Sequence, residues 1–271
     1  MRGAYAALSV LPDNTDVITA SAGNFGQGLA FGASQLGRVA RIVVPRGTPE
    51  IKIQRITRFG GRVEVCGNDF DEAYAVARRL STDCGLPFIP PFDDPHVIEG
   101  QGTAALELMA EVPRLDALVV PCGGGGLAAG VALYAKAVRS NIRVVAVEPA
   151  VLPSLGAALR AGTPVRMPPG KSLADGIAVR QIGALPLRVL RRLLDGVVTV
   201  TEEELGSAFR FLALETKQVV EGAGVAAVAA VRRRLPILEG CRHVGVFVTG
   251  GNIDPARMAT LFLDLSQNCH A

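Results

Sequence analysis

The apolar residues of this chain come in short unbroken runs, and a segment of helical length separates each run from the next. Residues 17–19, 41–44, 63–65, 118–120, 142–147, 197–200 and 244–248 are such runs, interrupted by a charge only at Arg41, Glu64 and Arg143. A half-wet strand alternates apolar with polar residues, whereas an unbroken apolar strand is buried on both faces, as in parallel sheets. Residues 27–36, 51–59, 71–84, 98–112, 127–138, 154–160, 187–194 and 222–235 read as the covering helices, and Thr201-x-x-Glu204 as a capping box that opens one more. The pattern predicts an α/β fold with open, mostly parallel sheets and helices on both faces. Pro90-Pro91 forces an extended stretch, so a crossover between two lobes is expected at residues 90–95. The smaller lobe would be 16–94, and the larger 1–15 together with 95–271.

Composition narrows the functional classes. The 271 residues are 49% hydrophobic and 20% charged, as in an ordinary globular protein. The net charge of +3 is spread along the chain. Its one basic cluster, Arg232-Arg233-Arg234, reads as the solvated end of a helix, so nothing points to nucleic acid. The cysteines, at 66, 84, 122, 241 and 269, form no Cys-x-x-Cys and no metal-ligand spacing, and fit idle thiols in a reducing cytosol. Residues 117–135 carry no charge, but Pro121 and the glycines behind it would break a membrane helix in the middle. Pro12 and Asp13 arrive too early for a secretion signal. The expected localisation is cytoplasmic, with no membrane partner.

Three glycine-bearing loops follow strands, at residues 21–26, 123–126 and 249–252. Open parallel sheets bind ligands at the carboxyl ends of their strands, so these loops are the candidate site. The sharpest is Pro121-Cys122-Gly123-Gly124-Gly125-Gly126-Leu127. Consecutive glycines add nothing to packing and lose backbone entropy on folding. Their use is to let amide N–H groups converge on an anion, usually a phosphate, at a helix N-terminus. A flexible surface loop is the plain alternative, and it suits a position between two charge-free segments poorly. A dinucleotide fingerprint is another: Gly123-x-Gly125-x-x-Ala128 fits its looser form, and Glu148 stands where the ribose-binding acid would. That reading leaves the other two loops unexplained. Ser21-Ala22-Gly23-Asn24 also precedes a helix and suits a carboxylate, or serves only as a helix cap. Thr249-Gly250-Gly251-Asn252 alone is a turn.

Taken in order, Arg2-Gly3-Ala4, Ser21-Ala22-Gly23-Asn24, Pro91-Phe92-Asp93, Gly100-Gln101-Gly102-Thr103, the four glycines with Leu127, and Thr249-Gly250-Gly251-Asn252 resemble one family. They are similar to the threonine dehydratase and serine racemase group of pyridoxal-phosphate (PLP) enzymes, which has the tryptophan-synthase-β-like fold, PLP fold type II. The resemblance runs from the first residue to about Asp254. It implies that Gly123, Gly124, Gly125, Gly126 and the Leu127 amide hold the cofactor phosphate. Asn24 would bond the ring hydroxyl, and Thr249 would stand in for the usual Ser beside the pyridine nitrogen. Ser21, Ala22, Gly23, Asn24 and Phe25 would cradle the substrate carboxylate. Gln101 and Asp175-Gly176 match family positions without an assigned role.

The departures from the family pattern are informative. The Schiff-base lysine of the family lies in Ser-x-Lys-x-Arg-Gly-Ala, and here Arg-Gly-Ala is residues 2–4, so that lysine would precede Met1. Lys52, Lys136, Lys171 and Lys217 lie in no matching motif. The catalytic set is therefore expected to be absent from the chain as written, which reads as an inactive, N-terminally truncated fragment. Phe25 replaces a common His. Ala22 stands where racemases place a second catalytic Ser. Of the racemase metal acids Glu148 matches, but the second position is Ser154, so no metal is expected. The resemblance implies that the full-length form is a homo-oligomeric ammonia-lyase. It would dehydrate and deaminate L-threonine or L-serine to a 2-oxo acid and ammonia. The alternatives are a racemase of the same fold and a non-catalytic PLP-binding fragment.

Overall fold

A computed structural model describes residues 1–263; Cys269 lies outside them. The chain divides into two compact units, Met1–Thr103 and Ala104–Ala271.

The first unit is built on a three-stranded sheet of β1 (Val17–Ala20), β2 (Ala40–Val44) and β3 (Arg62–Val65), in that order and all parallel. The unbroken apolar runs are explained by what covers them. Val17, Ala40, Ile42 and Val44 face one core cluster, which also holds residues of α1 (Arg2–Ser9), α2 (Asn24–Gln35) and α3 (Glu50–Arg58). Ile18, Ala20 and Val43 face the other, against Ala73 and Ala77 of α4 (Phe70–Cys84). Successive side chains point to opposite faces, so a strand covered on both sides is mostly apolar. The buried Thr19 donates its hydroxyl to the Ile89 carbonyl at 2.6 Å, and the edge strand β3 keeps Arg62 exposed. The helix α5 (Pro95–Glu111) follows.

The boundary between units differs from the expected lobe division. Residues 1–15 and 95–103 pack with the three-stranded sheet. Ala4, Ala7 and Leu8 of α1 are buried in the same cluster as Leu29 and Val97. Gly3 and Gly100 bring the two helices into backbone contact: a Cβ on Gly3 would stand 2.6 Å from the Val97 carbonyl oxygen, and one on Gly100 2.6 Å from that of Arg2. The guanidinium of Arg38, 6% exposed, donates to the carbonyls of Leu8 at 2.5 Å and Leu11 at 3.1 Å, which ties the first fifteen residues down.

The second unit has a four-stranded, all-parallel sheet ordered β6-β5-β4-β7. Its strands are β4 (Ala117–Pro121), β5 (Arg143–Pro149), β6 (Gly196–Val200) and β7 (Val244–Val246). The helices are α6 (Gly126–Val138), α7 (Ser154–Ala161), α8 (Ala184–Leu193), α9 (Glu202–Phe211), α10 (Gly222–Val231) and α11 (Pro255–Leu263). The apolar α10 packs against β4, β5 and β6. The helix expected over 222–235 stops at Val231. There Arg233 bonds Glu204 at 2.9 Å and the Thr199 carbonyl at 2.6 Å, and Pro236 then opens a short 3-10 turn. The capping box of Thr201 and Glu204 is present. No helix among the described residues is long and apolar enough to cross a membrane.

Candidate active site

Because every strand in the second sheet is parallel, β4 and its hydrogen-bonded neighbour β7 deliver their following loops to the same sheet edge. The loop after β4 is the four-glycine segment. Cys122 starts it, with its amide bonded to the Val147 carbonyl of β5 at 2.8 Å. All four glycines are buried. Gly125 is the N-cap of α6 at φ +93°, a backbone conformation that favours glycine, and no side chain caps this helix. A Cβ on Gly123 would stand 2.8 Å from the Ile177 Cα, and one on Gly125 2.7 Å from the Pro186 Cβ. The Gly183 amide donates to the Gly124 carbonyl at 3.1 Å. The result is a buried turn of bare backbone at the start of a 13-residue helix. The first amides of a helix have no intrahelical acceptor, and they carry the positive end of its dipole. Such a cradle fits a phosphate group, and a side chain at Gly123 or Gly125 would displace the loop by colliding with Ile177 or Pro186.

Burial, and behind it the nearby Glu148, pushes the Cys122 thiol well above its ordinary range. Burial thus disfavours the thiolate, which is the reactive form of the group.

The loop after β7 carries Thr249, partly buried. It is wedged by the first turn of α10. The Thr249 amide donates to the Gly224 carbonyl at 3.4 Å, the Glu221 amide to the Gly250 carbonyl at 3.2 Å, and the Asn252 amide to the Glu221 carboxylate at 3.0 Å. Glu221, only 6% exposed, was not singled out by its sequence context. Its acid lies 31 residues from the amide it holds, and no local pattern announces such a pair.

In the first unit, β1 runs into Ser21-Ala22-Gly23-Asn24-Phe25. The Ser21 hydroxyl is already engaged, accepting from the amides of Gly23 at 3.3 Å and Gly26 at 3.1 Å. It therefore caps α2, whose own N-cap is Gly23. The first amides of any helix lack an intrahelical carbonyl to donate to, and they carry the positive end of its dipole. Ala22 and Phe25 pack against the core beneath, and the Asn24 side chain is exposed.

Glu148 closes β5 and is 1% exposed. Its two oxygens accept from the amides of Leu155 at 2.6 Å and Gly156 at 2.9 Å, so it caps α7. Burial raises its pKa to about 7, against the pull of those amides and Arg160. An acid committed in this way is not free to bind ribose hydroxyls, which removes the support for a dinucleotide fingerprint. Asp175-Gly176 lie in a 3-10 turn, Asp175–Ile177, beside the glycine loop. Gln101 lies in α5.

Comparison with known proteins shows the family of the chain. Residues 1–250 match the family model described as "Pyridoxal-phosphate dependent enzyme". The chain is 42% identical over 257 residues to the L-threonine ammonia-lyase of Thermotoga maritima, covering 94% of this chain and 64% of that protein. It is 43% identical over 240 residues to the L-threonine dehydratase biosynthetic IlvA of Escherichia coli, covering 88% and 47%. Maize serine racemase superposes with a TM-score of 0.91 at 30% identity, covering all of this chain and 84% of that one. The chain thus spans between about half and two thirds of the curated relatives' own length. By family match, sequence and fold, the chain belongs to the pyridoxal-phosphate dependent enzymes, within the group of threonine dehydratases and serine racemases.

Proposed function

We propose that the protein containing this chain is a PLP-dependent ammonia-lyase that converts L-threonine or L-serine to a 2-oxo acid and ammonia. The observation that carries the reading is the pairing, on adjacent strands β4 and β7, of an uncapped glycine cradle with a wedged Thr249. The amides of residues 123–127 would hold the phosphate of the cofactor, and the Thr249 hydroxyl would meet the pyridine nitrogen. Asn24 would bond the ring hydroxyl, and Ser21, Ala22, Gly23, Asn24 and Phe25 would take the substrate carboxylate on the start of α2. The cofactor, when bound, supplies the electron sink that acidifies the substrate α-carbon. Thr249 offers a neutral hydroxyl, which holds no proton on the ring as a carboxylate would. That moderates the sink and favours prompt loss of the β-hydroxyl over a long-lived carbanion.

Ala22 has no acid or base with which to reprotonate the α-carbon from the opposite face, so elimination is favoured over racemisation. We place the protein in the cytosol and expect a homo-oligomer in its full-length form. The test is to assay the whole protein with L-threonine and L-serine for 2-oxo acid release, with chiral analysis of the remaining amino acid. Release of 2-oxo acid as the main outcome supports the reading. D-serine as the main product, or no turnover of either substrate, overturns it.

A further inference from the structure

The connection between α7 and α8 braces the glycine loop. Ile177 stands against Gly123 and the Gly183 amide holds the Gly124 carbonyl, while Pro186, in the first turn of α8, crowds Gly125. The start of this strap is gripped by one carboxylate. Glu202, the first residue of α9, accepts from the Ser172 hydroxyl with one oxygen and from the Leu173 amide with the other, each at 2.6 Å. The Ser172 hydroxyl accepts in turn from the Ala174 amide at 3.0 Å. Ser172 is 7% exposed and Leu173 8%. Two short bonds to one charged acceptor are about twice as strong as neutral ones and fix the approach angle as a fork does.

The grip passes on through packing. A Cβ on Gly222 would overlap the Leu173 carbonyl, so the first turn of α10 is seated on Leu173. Ala174 is fully buried, and its carbonyl accepts from the Ile177 amide at 3.0 Å, which closes the turn that faces Gly123. Glu202 is not required for α9 itself, because Thr201 and Glu204 form the capping box of that helix. Its two bonds go to the strap.

We propose that Glu202 is a positioning residue for the phosphate cradle. Through Ser172 and Leu173 it holds residues 172–183 where they keep Gly123, Gly124 and Gly125 converged. The inference rests on the cofactor reading above and names a residue that the reading did not contain.

The test uses the full chain and two readouts. The first is hydrogen–deuterium exchange without ligand. Glu202→Ala should speed exchange of residues 122–128 by about tenfold while α9 stays within about twofold, since its cap is intact. The second is titration with PLP and with pyridoxal, which lacks the phosphate. Glu202→Ala should weaken PLP binding by about tenfold and leave pyridoxal within about twofold. Glu202→Gln keeps an acceptor for the Leu173 amide and should recover most of both. Faster exchange at residues 172–174 with none at 122–128 overturns the proposal, as does equal weakening of PLP and pyridoxal. If the native chain binds no PLP, the cofactor reading falls, while the exchange comparison still decides whether Glu202 braces the loop. If Glu202→Ala does not fold, Ser172→Ala removes one of the two bonds to Glu202, together with the bond from the Ala174 amide. Unchanged exchange at 122–128 in that variant also overturns the proposal.

Discussion

The carbonyl oxygen of Thr249 occupies the space that a Cβ on Gly224 would need. The loop expected beside the pyridine nitrogen is therefore set by the backbone of α10, through a contact that only glycine permits. Gly224→Ala must push Thr249 outward or shift the helix. A loss of about 1–3 kcal/mol is expected, the usual result of overpacking a well-packed site. Gly206, inside α9, is the contrast, since a Cβ there would meet only the flexible end of Arg210, at 3.4 Å. Gly206→Ala should stabilise by about 0.5–1 kcal/mol through helix propensity. Urea unfolding of the two variants checks both signs.

Gly124 lies in the buried glycine loop, with its carbonyl held by the Gly183 amide. On the proposed cofactor reading, Gly124→Asp places a carboxylate where the loop amides would meet a dianion. PLP affinity should fall by at least about 100-fold, since burying a second like charge in such a site is worth several kcal/mol. Absorbance titration with PLP is the measurement, and an unchanged affinity would remove this loop from the site.

Glu148 sets a pH dependence whose sign follows from its burial. Its pKa is raised from 4.5 to about 7 in the folded chain. Below pH 4.5 both states are protonated and Glu148 adds no pH dependence. Between 4.5 and about 7 the unfolded chain ionises and the folded one does not, so stability falls as pH rises, by at most about 1.4 kcal/mol per pH unit. Above about 7 the effect is flat. Glu148→Gln should abolish that slope. Urea midpoints from pH 4.5 to 8 would show it, and parallel curves for the two proteins would refute it.

The same residue predicts weak dependence on divalent cations. Both Glu148 oxygens accept from the start of α7, and Ser154, 1% exposed, offers no second carboxylate. Hard cations prefer several oxygen ligands, carboxylates foremost. Millimolar magnesium or EDTA should move the melting temperature by less than about 1 °C. A shift of several degrees with sub-millimolar magnesium would contradict this.

Much of this arrangement is legible in the sequence because it follows from local rules. Apolar runs marked the parallel strands, Thr201 and Glu204 marked a helix start, and four glycines between a strand and a helix marked the buried turn that opens α6. Two kinds of feature were not legible. The first helix, α1, carries Ala4, Ala7 and Leu8 at helical spacing, but it is too short to declare itself beside a chain end. The acids that hold the site, Glu202 and Glu221, bond amides 29 and 31 residues away. Such pairs are products of the fold, and an exposed-looking acid in a sequence carries no sign of them.

The last prediction concerns the lysines. Covalent attachment of PLP needs an amine held near the phosphate cradle, and none of the four lysines lies in the glycine loop or in the Thr249 loop. Lys136 sits in the last turn of α6, ten residues beyond Gly126, which is about 15 Å along the helix axis from the cradle. Its ammonium pairs with Asp195 at 2.8 Å, and the side chain is 15% exposed. Lys217 closes a π-helical turn in the left-handed conformation, φ +59°, and donates to the Leu214 carbonyl. Lys171 is exposed on the strap beside Ser172. Lys52 belongs to α3 in the first unit and lies outside any family motif. The chain incubated with PLP, reduced with borohydride and digested should carry no stoichiometric phosphopyridoxyl group on any of them. The exposed Lys171 should label only in proportion to added PLP. Bound cofactor should leave on dialysis, and the chain alone should not turn over L-threonine. Stoichiometric label on Lys52, Lys136, Lys171 or Lys217, together with turnover, would show that this chain anchors and uses the cofactor through an amine its motifs do not reveal.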